Sequence, residues 1–364
     1  MVRSLHSLGV ILALTAPLVA AETDVLADLD ALGARVSRNA AGQAVGVDLS
    51  RTWVGDADLA KLAQLPQLET INLAYTKVTD LGLEHLAPLT KVKVLDLYYA
   101  ESVTDLGIAH LKHWRNLEHL NVRGTKVTST LFEHLAGMPR LAYLDVGHSR
   151  VNDDLFELLD TLPHLEHLSF GGNKMSGAAL PLLKSLPALR SLSVSGQQRT
   201  DSGLWSVAIS DFSIGHIAAI GSLDSLDLAG TNISDRGIAE LSNLQKLHTL
   251  DLSRTRVSGK GLAALADLSA LRRLKLWQAA GIDDAAVPAL LALEKLEVLE
   301  VPETGLTAKG LTELSAHRGL KQLYLGGLAL TPEELDSRRQ LMPACRITWW
   351  PKPTIEEREP RRRQ

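Results

Sequence analysis

The pattern L-x-x-L-x-L returns along this chain every 24 or 25 residues, and no other feature restricts the fold as much. It stands at Leu68-Ile71-Leu73, Val92-Leu95-Leu97, Leu117-Leu120-Val122, Leu141-Leu144-Val146, Leu165-Leu168-Phe170 and Leu189-Leu192-Val194. It resumes at Leu223-Leu226-Leu228, Leu247-Leu250-Leu252, Leu271-Leu274-Leu276, Leu296-Leu299-Val301 and Leu320-Leu323-Leu325, after a degenerate first copy at Ala44-Val47-Leu49. A unit this small hides its apolar side chains only against its neighbours, so the copies must stack. Chain length, which alone would suggest several globular domains, gives way to the repeat. An aromatic content of 4% beside 45% hydrophobic residues fits an aliphatic, leucine-spaced core.

Within each copy the period changes. Apolar and polar residues alternate over the strand, then Leu83 and Leu86 fall at helical spacing in the segment from Thr76 to Leu86. The unit therefore reads as strand, turn, short helix. The helix start has its own signal: Thr79, Thr104, Thr128, Asn152, Ser176, Thr200, Ser234, Ser258, Asp283, Thr307 and Thr331 hold equivalent places. All are N-cap residue types, whose side-chain oxygen accepts an unpaired amide. Thr331-Pro332-Glu333-Glu334 adds a full capping box with proline at the first helical position.

The stretch Thr76 to Leu83 reads T-x-V-T-D-x-G-L and is nearly repeated from Thr231 to Ile238. On these residues the chain resembles the leucine-rich repeat family, specifically its exported bacterial members, and is similar to the cysteine-containing and GALA-type repeats. The resemblance runs over residues 44–350 and implies a right-handed α/β solenoid bent into a horseshoe arc, with a parallel concave sheet and short convex helices. The family's usual Asn after the strand occurs here only as Asn173; Thr76, Thr125, Thr231, Thr255 and Thr304 stand there instead. A threonine hydroxyl can still bond the turn backbone. GALA-type effectors carry an F-box ahead of their repeats, and residues 22–43 are too few for one.

Residues 1–21 read as a signal peptide: Arg3, an apolar run from Leu8 to Ala20, then Val19-Ala20-Ala21 before Glu22. The run is short for an uncleaved membrane anchor, the alternative. Residues 22–43 read as an N-terminal helical cap, with Val25, Leu26, Leu29, Leu32 and Val36 as its apolar stripe. Repeats fill 44–344, including an enlarged one at 189–222 that gains ten residues. The apolar content of Gly203 to Ile220 suggests a packed helical excursion on the convex side, or alternatively a docking knob. Residues 345–350 form a terminal strand and cap, with Ile347, Trp349 and Trp350 closing the last coil. The Pro- and Arg-rich tail 351–364 reads as disordered. Cys345 is the one cysteine, so no intramolecular disulfide forms; it reads as a buried small hydrophobe, with an intermolecular bridge as the alternative.

Recognition belongs to strand residues that point away from the leucines. Counting the first Leu of a copy as position 1, these are positions 3, 5 and 7, with position 8 at the rim. In the front copies they carry Tyr75, Asp96, Tyr98, Tyr99, His119, Asn121, Arg123, Tyr143, Asp145, His148 and His167. Flat amphipathic rings over carboxylates and amides suit a protein ligand, or alternatively a glycan. A secondary patch of Arg254, Arg272, Arg273, Lys275 and Trp277 could grip an anionic group, though Asp251 and Glu300 flank it.

No metal or cofactor is expected. His119 and His167 lie two strands apart, roughly 10 Å at about 4.8 Å per strand, too far for one zinc ion. No G-x-S-x-G, H-E-x-x-H, P-loop or dinucleotide glycine pattern occurs, so no enzyme is expected. A net charge of −4 argues against a nucleic-acid partner. The expectation is a non-catalytic exported module, periplasmic or extracellular, with a protein partner and no membrane span once the leader is removed. A glycan or cell-wall binder is the alternative, and a secreted effector a weaker one. Oligomeric state is not written in the sequence.

Overall fold

A computed structural model describes residues 24–352; the segment read as a leader and the tail from 353 onward lie outside it. The fold is α/β, with short parallel strands alternating with short helices. It forms two compact units that divide between Leu165 and Glu166.

In the first unit the strands are β1 (Arg35–Arg38), β2 (Ala44–Asp48), β3 (Thr70–Asn72), β4 (Val94–Asp96), β5 (His119–Asn121) and β6 (Tyr143–Asp145). β2 to β6 pair in sequence order, parallel, with Val47, Ile71, Leu95, Leu120 and Leu144 side by side. These central residues and the Leu or Val two places on are buried, as alternation requires. β1 covers the first edge antiparallel to β2. The front cover is thus a helix at 24–31 followed by a strand: Leu29 is buried under the helix, while Val36 pairs with Val47 in place of extending the helical stripe.

In the second unit β7 (His167–Ser169) and β8 (Ser191–Ser193) pair in parallel. β9 (Gln198–Thr200) and β10 (Gly203–Trp205) form a separate antiparallel hairpin. The parallel ladder resumes on β8 with β11 (Ser225–Asp227), then β12 (Thr249–Asp251), β13 (Arg273–Lys275), β14 (Val298–Glu300), β15 (Gln322–Tyr324) and β16 (Arg346–Thr348). At this end Ile347 and Cys345 are buried, Trp349 Nε1 donates to Leu328 O at 3.3 Å, and the Trp350 ring lies on Gly326.

The consensus residues bind one coil to the next. Asp80 Oδ1 accepts the Thr104 amide at 2.8 Å and Oδ2 the Thr104 hydroxyl at 2.6 Å, while that same hydroxyl caps the helix Asp105–His110. Asp56 does this for Thr79, Asp105 for Thr128, Asp211 for Ser234, Asp235 for Ser258 and Asp284 for Thr307. The glycine of D-x-G is needed for the same contact: a Cβ on Gly82 or Gly107 would stand 2.5 or 2.6 Å from the carboxylate of the preceding coil. Burial raises the pKa of Asp211, but the Ser234 hydroxyl and amide and the Gly237 amide outweigh it and hold the carboxyl below its ordinary range. The turn after the strand works as expected of threonine: Thr76, Thr125, Thr231 and Thr255 each donate to the carbonyl three residues back, at 2.6 to 2.7 Å.

The enlarged repeat departs from the helical expectation. Its extra residues lie before the helix, as the β9–β10 hairpin, and the helix itself is only Ile214–Ala218. Thr200 is therefore a strand residue; Ser210 takes the ladder place, bridging to Asn232, with Asp211 beside it. Thr200-Asp201-Ser202-Gly203 is turn chemistry, and Gly203 sits at φ +114°, where a side chain would be strained. The hairpin leaves directly from the strand end, not from the helical side.

Candidate functional site

Every copy leaves its strand through a left-handed residue at position 8. Five of the twelve are glycine: Gly124, Gly172, Gly196, Gly230 and Gly327. The other seven are Arg51, Tyr75, Tyr99, His148, Arg254, Gln278 and Glu303, at φ between +50° and +60°. No other non-glycine residue among those described has a positive φ. For an L-residue that conformation costs about 1–2 kcal/mol, so a large side chain there opposes the backbone's preference for glycine. Outliers of this kind collect at functional sites.

In the first unit this row forms a stack. The Arg51 guanidinium lies 4.3 Å from the Tyr75 ring centroid, and Tyr75 and Tyr99 are parallel at 5.7 Å. Tyr99 then lies across Gly124, where a Cβ would strike its ring. Tyr98, at position 7, meets Tyr75 and Tyr99 edge-on at 5.2 and 4.8 Å. A second stack stands at position 3, where His119 and Tyr143 are parallel with centroids 3.8 Å apart. Arg123 crosses Gly147 and pairs with Asp145 at 3.6 Å.

Burial sets the electrostatics of this face. It lowers the pKa of His119, against the pull of Asp96 and Asp145, and lowers that of His148 with help from Arg123. Both rings are therefore neutral at pH 7. It raises the Asp96 carboxyl above its ordinary range, with the Tyr98 amide opposing, and pushes Tyr143 up to about 12. A neutral imidazole stacked on a neutral phenol offers hydrogen-bonding edges without charge.

Of the residues expected here, Tyr75, Tyr98, Tyr99, His119, Arg123, Tyr143 and His148 gather on this face. Asp96, Asn121 and Asp145 share it but serve the turn: each Oδ1 accepts the amide two residues on, at 2.9, 3.1 and 2.7 Å. His167 belongs to the second unit, where its Nδ1 lies 2.8 Å from Ser191 Oγ. Arg51 was not anticipated. Its signal is position 8 of the degenerate first copy.

The secondary patch resolves into pairs. Arg273 bonds Glu300 at 3.1 Å and Lys275 approaches Asp251 at 3.6 Å. Arg254 stands over the Trp277 ring at 5.3 Å and donates Nε to Gln278. Arg254 and Trp277 also border a cleft of about 690 Å³ whose other wall is the hairpin, with Gln197, Arg199 and Leu204. Its floor is small because three successive coils carry Ser195, Ala229 and Ser253 at position 7. The sequence reading did not find this cleft. Among the described residues no three His, Cys, Asp or Glu side chains group to hold a metal ion, and no helix is long and apolar enough to cross a membrane.

The geometry defines a parallel α/β repeat solenoid that presents side chains along the open side of its strands. Residues 222–242 and 243–266 match the Leucine Rich repeat family model, and the twelve in-register copies give the chain a leucine-rich repeat fold. No curated protein matches it in sequence. Among solved structures it is similar to an internalin of Listeria monocytogenes: 19% identity, TM-score 0.53, covering 89% of this chain and 92% of that one. That likeness extends to the fold. Lower-scoring matches are a leucine-rich repeat protein of Leptospira interrogans and the ectodomain of the Arabidopsis receptor kinase HAESA. The first has 19% identity, TM-score 0.42 and coverage of 81% and 87%. The second has 17%, 0.48, and 88% and 47%.

Proposed function

We infer that the chain is an exported, non-catalytic interaction module that holds a protein partner on the ring-bearing side of the first unit's sheet. The observation carrying this is the position-8 row: Arg51, Tyr75, Tyr99 and His148 occupy left-handed backbone that glycine would adopt without strain. The fold needs only the turn there, so the large side chains serve the surface. Exposed tyrosine and arginine are also the side chains that dominate protein interfaces. A glycan ligand is less favoured, because Tyr75 and Tyr99 turn their faces to each other and Tyr98 closes on both, covering the planes a pyranose would stack against. Export rests on the leader-like segment 1–21, and the similarity to exported bacterial repeats of the T-x-V-T-D-x-G-L type belongs with it.

The test is affinity capture from envelope and culture fractions, using the wild type and a variant with Tyr99, His119 and Tyr143 all changed to Ser. Circular dichroism confirms that the variant is folded. Protein partners held by the wild type should be lost by the variant. Retention of all of them would place recognition elsewhere, and binding of oligosaccharides with no captured protein would assign the face to glycans.

A further inference from the structure

Position 5 carries a carboxylate in six copies, and in five of them the chain itself supplies a cation or hydroxyls to it. In the first unit Arg35 lies 2.6 Å from Asp48 and Arg123 3.6 Å from Asp145. In the second, Lys275 lies 3.6 Å from Asp251, Arg273 3.1 Å from Glu300, and the hydroxyls of Ser193 and Ser195 donate to Asp227. Asp96 is the exception. Its Oδ1 accepts the Tyr98 amide at 2.9 Å and the Asn121 side chain bonds it, but no described lysine or arginine pairs with it. Arg123, on the next strand, is turned to Asp145. Arg51 lies on the Tyr75 ring, two strand spacings away, roughly 10 Å at about 4.8 Å each, where salt screens it. The titratable groups acting on Asp96 are His119, neutral at pH 7, and Asp145, whose charge repels. The turn does not need this charge, since Asn72 and Asn121 accept the same amide with neutral side chains at 3.0 and 3.1 Å. The chain thus keeps a half-buried carboxylate without a cation where an asparagine would serve the fold.

We propose that Asp96 is the point at which the ring face takes a lysine or arginine side chain of its partner, so that the partner presents a basic segment. The inference rests on the ring-face reading and names the chemistry of what that face holds. The surroundings suit a long cationic side chain. Tyr98 stands two residues along on the same face of the strand, and the stacked rings of His119 and Tyr143 lie on the next two strands, close enough that the Asp96 charge acts on both. The apolar stem of a lysine or arginine covers such rings while its head reaches an acid. A partly desolvated carboxylate gains more from a hydrogen-bonded cation than one in open water. A metal ion fits less well, because no three His, Cys, Asp or Glu side chains group to hold one among the described residues.

The test uses the full chain and three labelled peptides, acetyl-Gly-Leu-Lys-Leu-Gly-amide and its Gln and Glu counterparts at the central residue. Fluorescence anisotropy should show saturable binding of the Lys peptide, weakening with salt, with the Gln peptide about tenfold weaker, as expected for losing a hydrogen-bonded charge, and the Glu peptide weaker still. Asp96→Asn should bind the Lys and Gln peptides alike while unfolding no more easily than wild type, so that the loss is not a loss of fold. Asp48→Asn, which removes a carboxylate whose cation is internal, should keep the preference for Lys. Carboxyl NMR should show the Asp96 pKa falling when the Lys peptide is added, a change that contact elsewhere on the face would not produce. Affinity capture separates this inference from the reading beneath it: partners lost by the triple serine variant but held undiminished by Asp96→Asn would leave the ring face standing and overturn only the role of Asp96. Equal binding of the Lys and Gln peptides by wild type, an unchanged preference in Asp96→Asn, or no binding of any peptide would overturn it as well.

Discussion

The two units use the same coil and finish their strands differently. In the first, positions 7 and 8 carry Tyr75, Tyr98, Tyr99, Arg123 and His148; the three tyrosines pack on one another and leave a ring-bearing surface. In the second, Ser195, Ala229 and Ser253 keep the same side low, and a ten-residue insertion raises a hairpin beside it. The helical side does not share the contrast, since the Asp–Thr–Gly ladder recurs in both units. Stability and surface character are therefore separable in this chain, because the ladder lies at the helix starts and the surface side chains at the strand exits.

The largest effect expected from breaking this contrast comes at Gly171. A Cβ there would strike the Ser195 carbonyl, a backbone atom at the root of the hairpin. Gly171→Ala should cost about 3 kcal/mol, the upper range for overpacking, and hydrogen exchange should accelerate around 191–206 while the first unit keeps its protection. A middling effect should be equal in both units. Asp80→Ala and Asp235→Ala each orphan an amide and a hydroxyl of the next coil, for about 2 kcal/mol by denaturant unfolding. Unequal costs would mean that the ladder is not shared.

A smaller effect belongs to the first unit alone. A double-mutant cycle on His119 and Tyr143 should return a coupling of about 1 kcal/mol for the stacked pair. The smallest is a pH effect. His119 and His148 are held neutral below their ordinary 6.5, so under acid the unfolded chain takes up protons that the folded one refuses. Stability should fall as pH drops through 6.5, by about 2 °C in Tm, and replacing both histidines with Gln should flatten the fall. Asp96, whose pKa is raised, works in the opposite sense: its burial disfavours the folded state once the carboxyl ionises. Asp96→Asn keeps the oxygen that accepts the Tyr98 amide, as Asn72 and Asn121 do for their own turns, and should be neutral to slightly stabilising at pH 7.

The fold was legible because its signals were redundant. Leucine spacing, N-cap residues and turn threonines each marked the same coil, and the structure uses Thr79, Thr104 and Ser234 as caps where the spacing put them. The ring face was legible as a cluster but not in its divisions. Asp96, Asn121 and Asp145 looked like ligand groups because they point outward. Their recurrence as Asp or Asn in most copies was the sign of a turn acceptor. The cleft was not legible. A fixed offset from Leu189 made Thr200 a helix cap, and apolar content made the insertion helical, while the Asp201-Ser202-Gly203 turn that reverses the chain was passed over. Left-handed backbone at Tyr75 and Tyr99 has no sequence signature when glycine is absent; it shows only by alignment with Gly124 and Gly172 in other copies.

The central claim is that large side chains at position 8 are kept for the surface and not for the fold. Its most direct measurement is the unfolding free energy of a Tyr75→Gly, Tyr99→Gly double variant. Relief of left-handed strain, about 1–2 kcal/mol per residue, should offset the lost ring contacts and the added chain entropy, leaving stability within about 1 kcal/mol of wild type. A loss of more than about 3 kcal/mol, the scale of a removed core aromatic, would show that the rings hold the coil together and would contradict it.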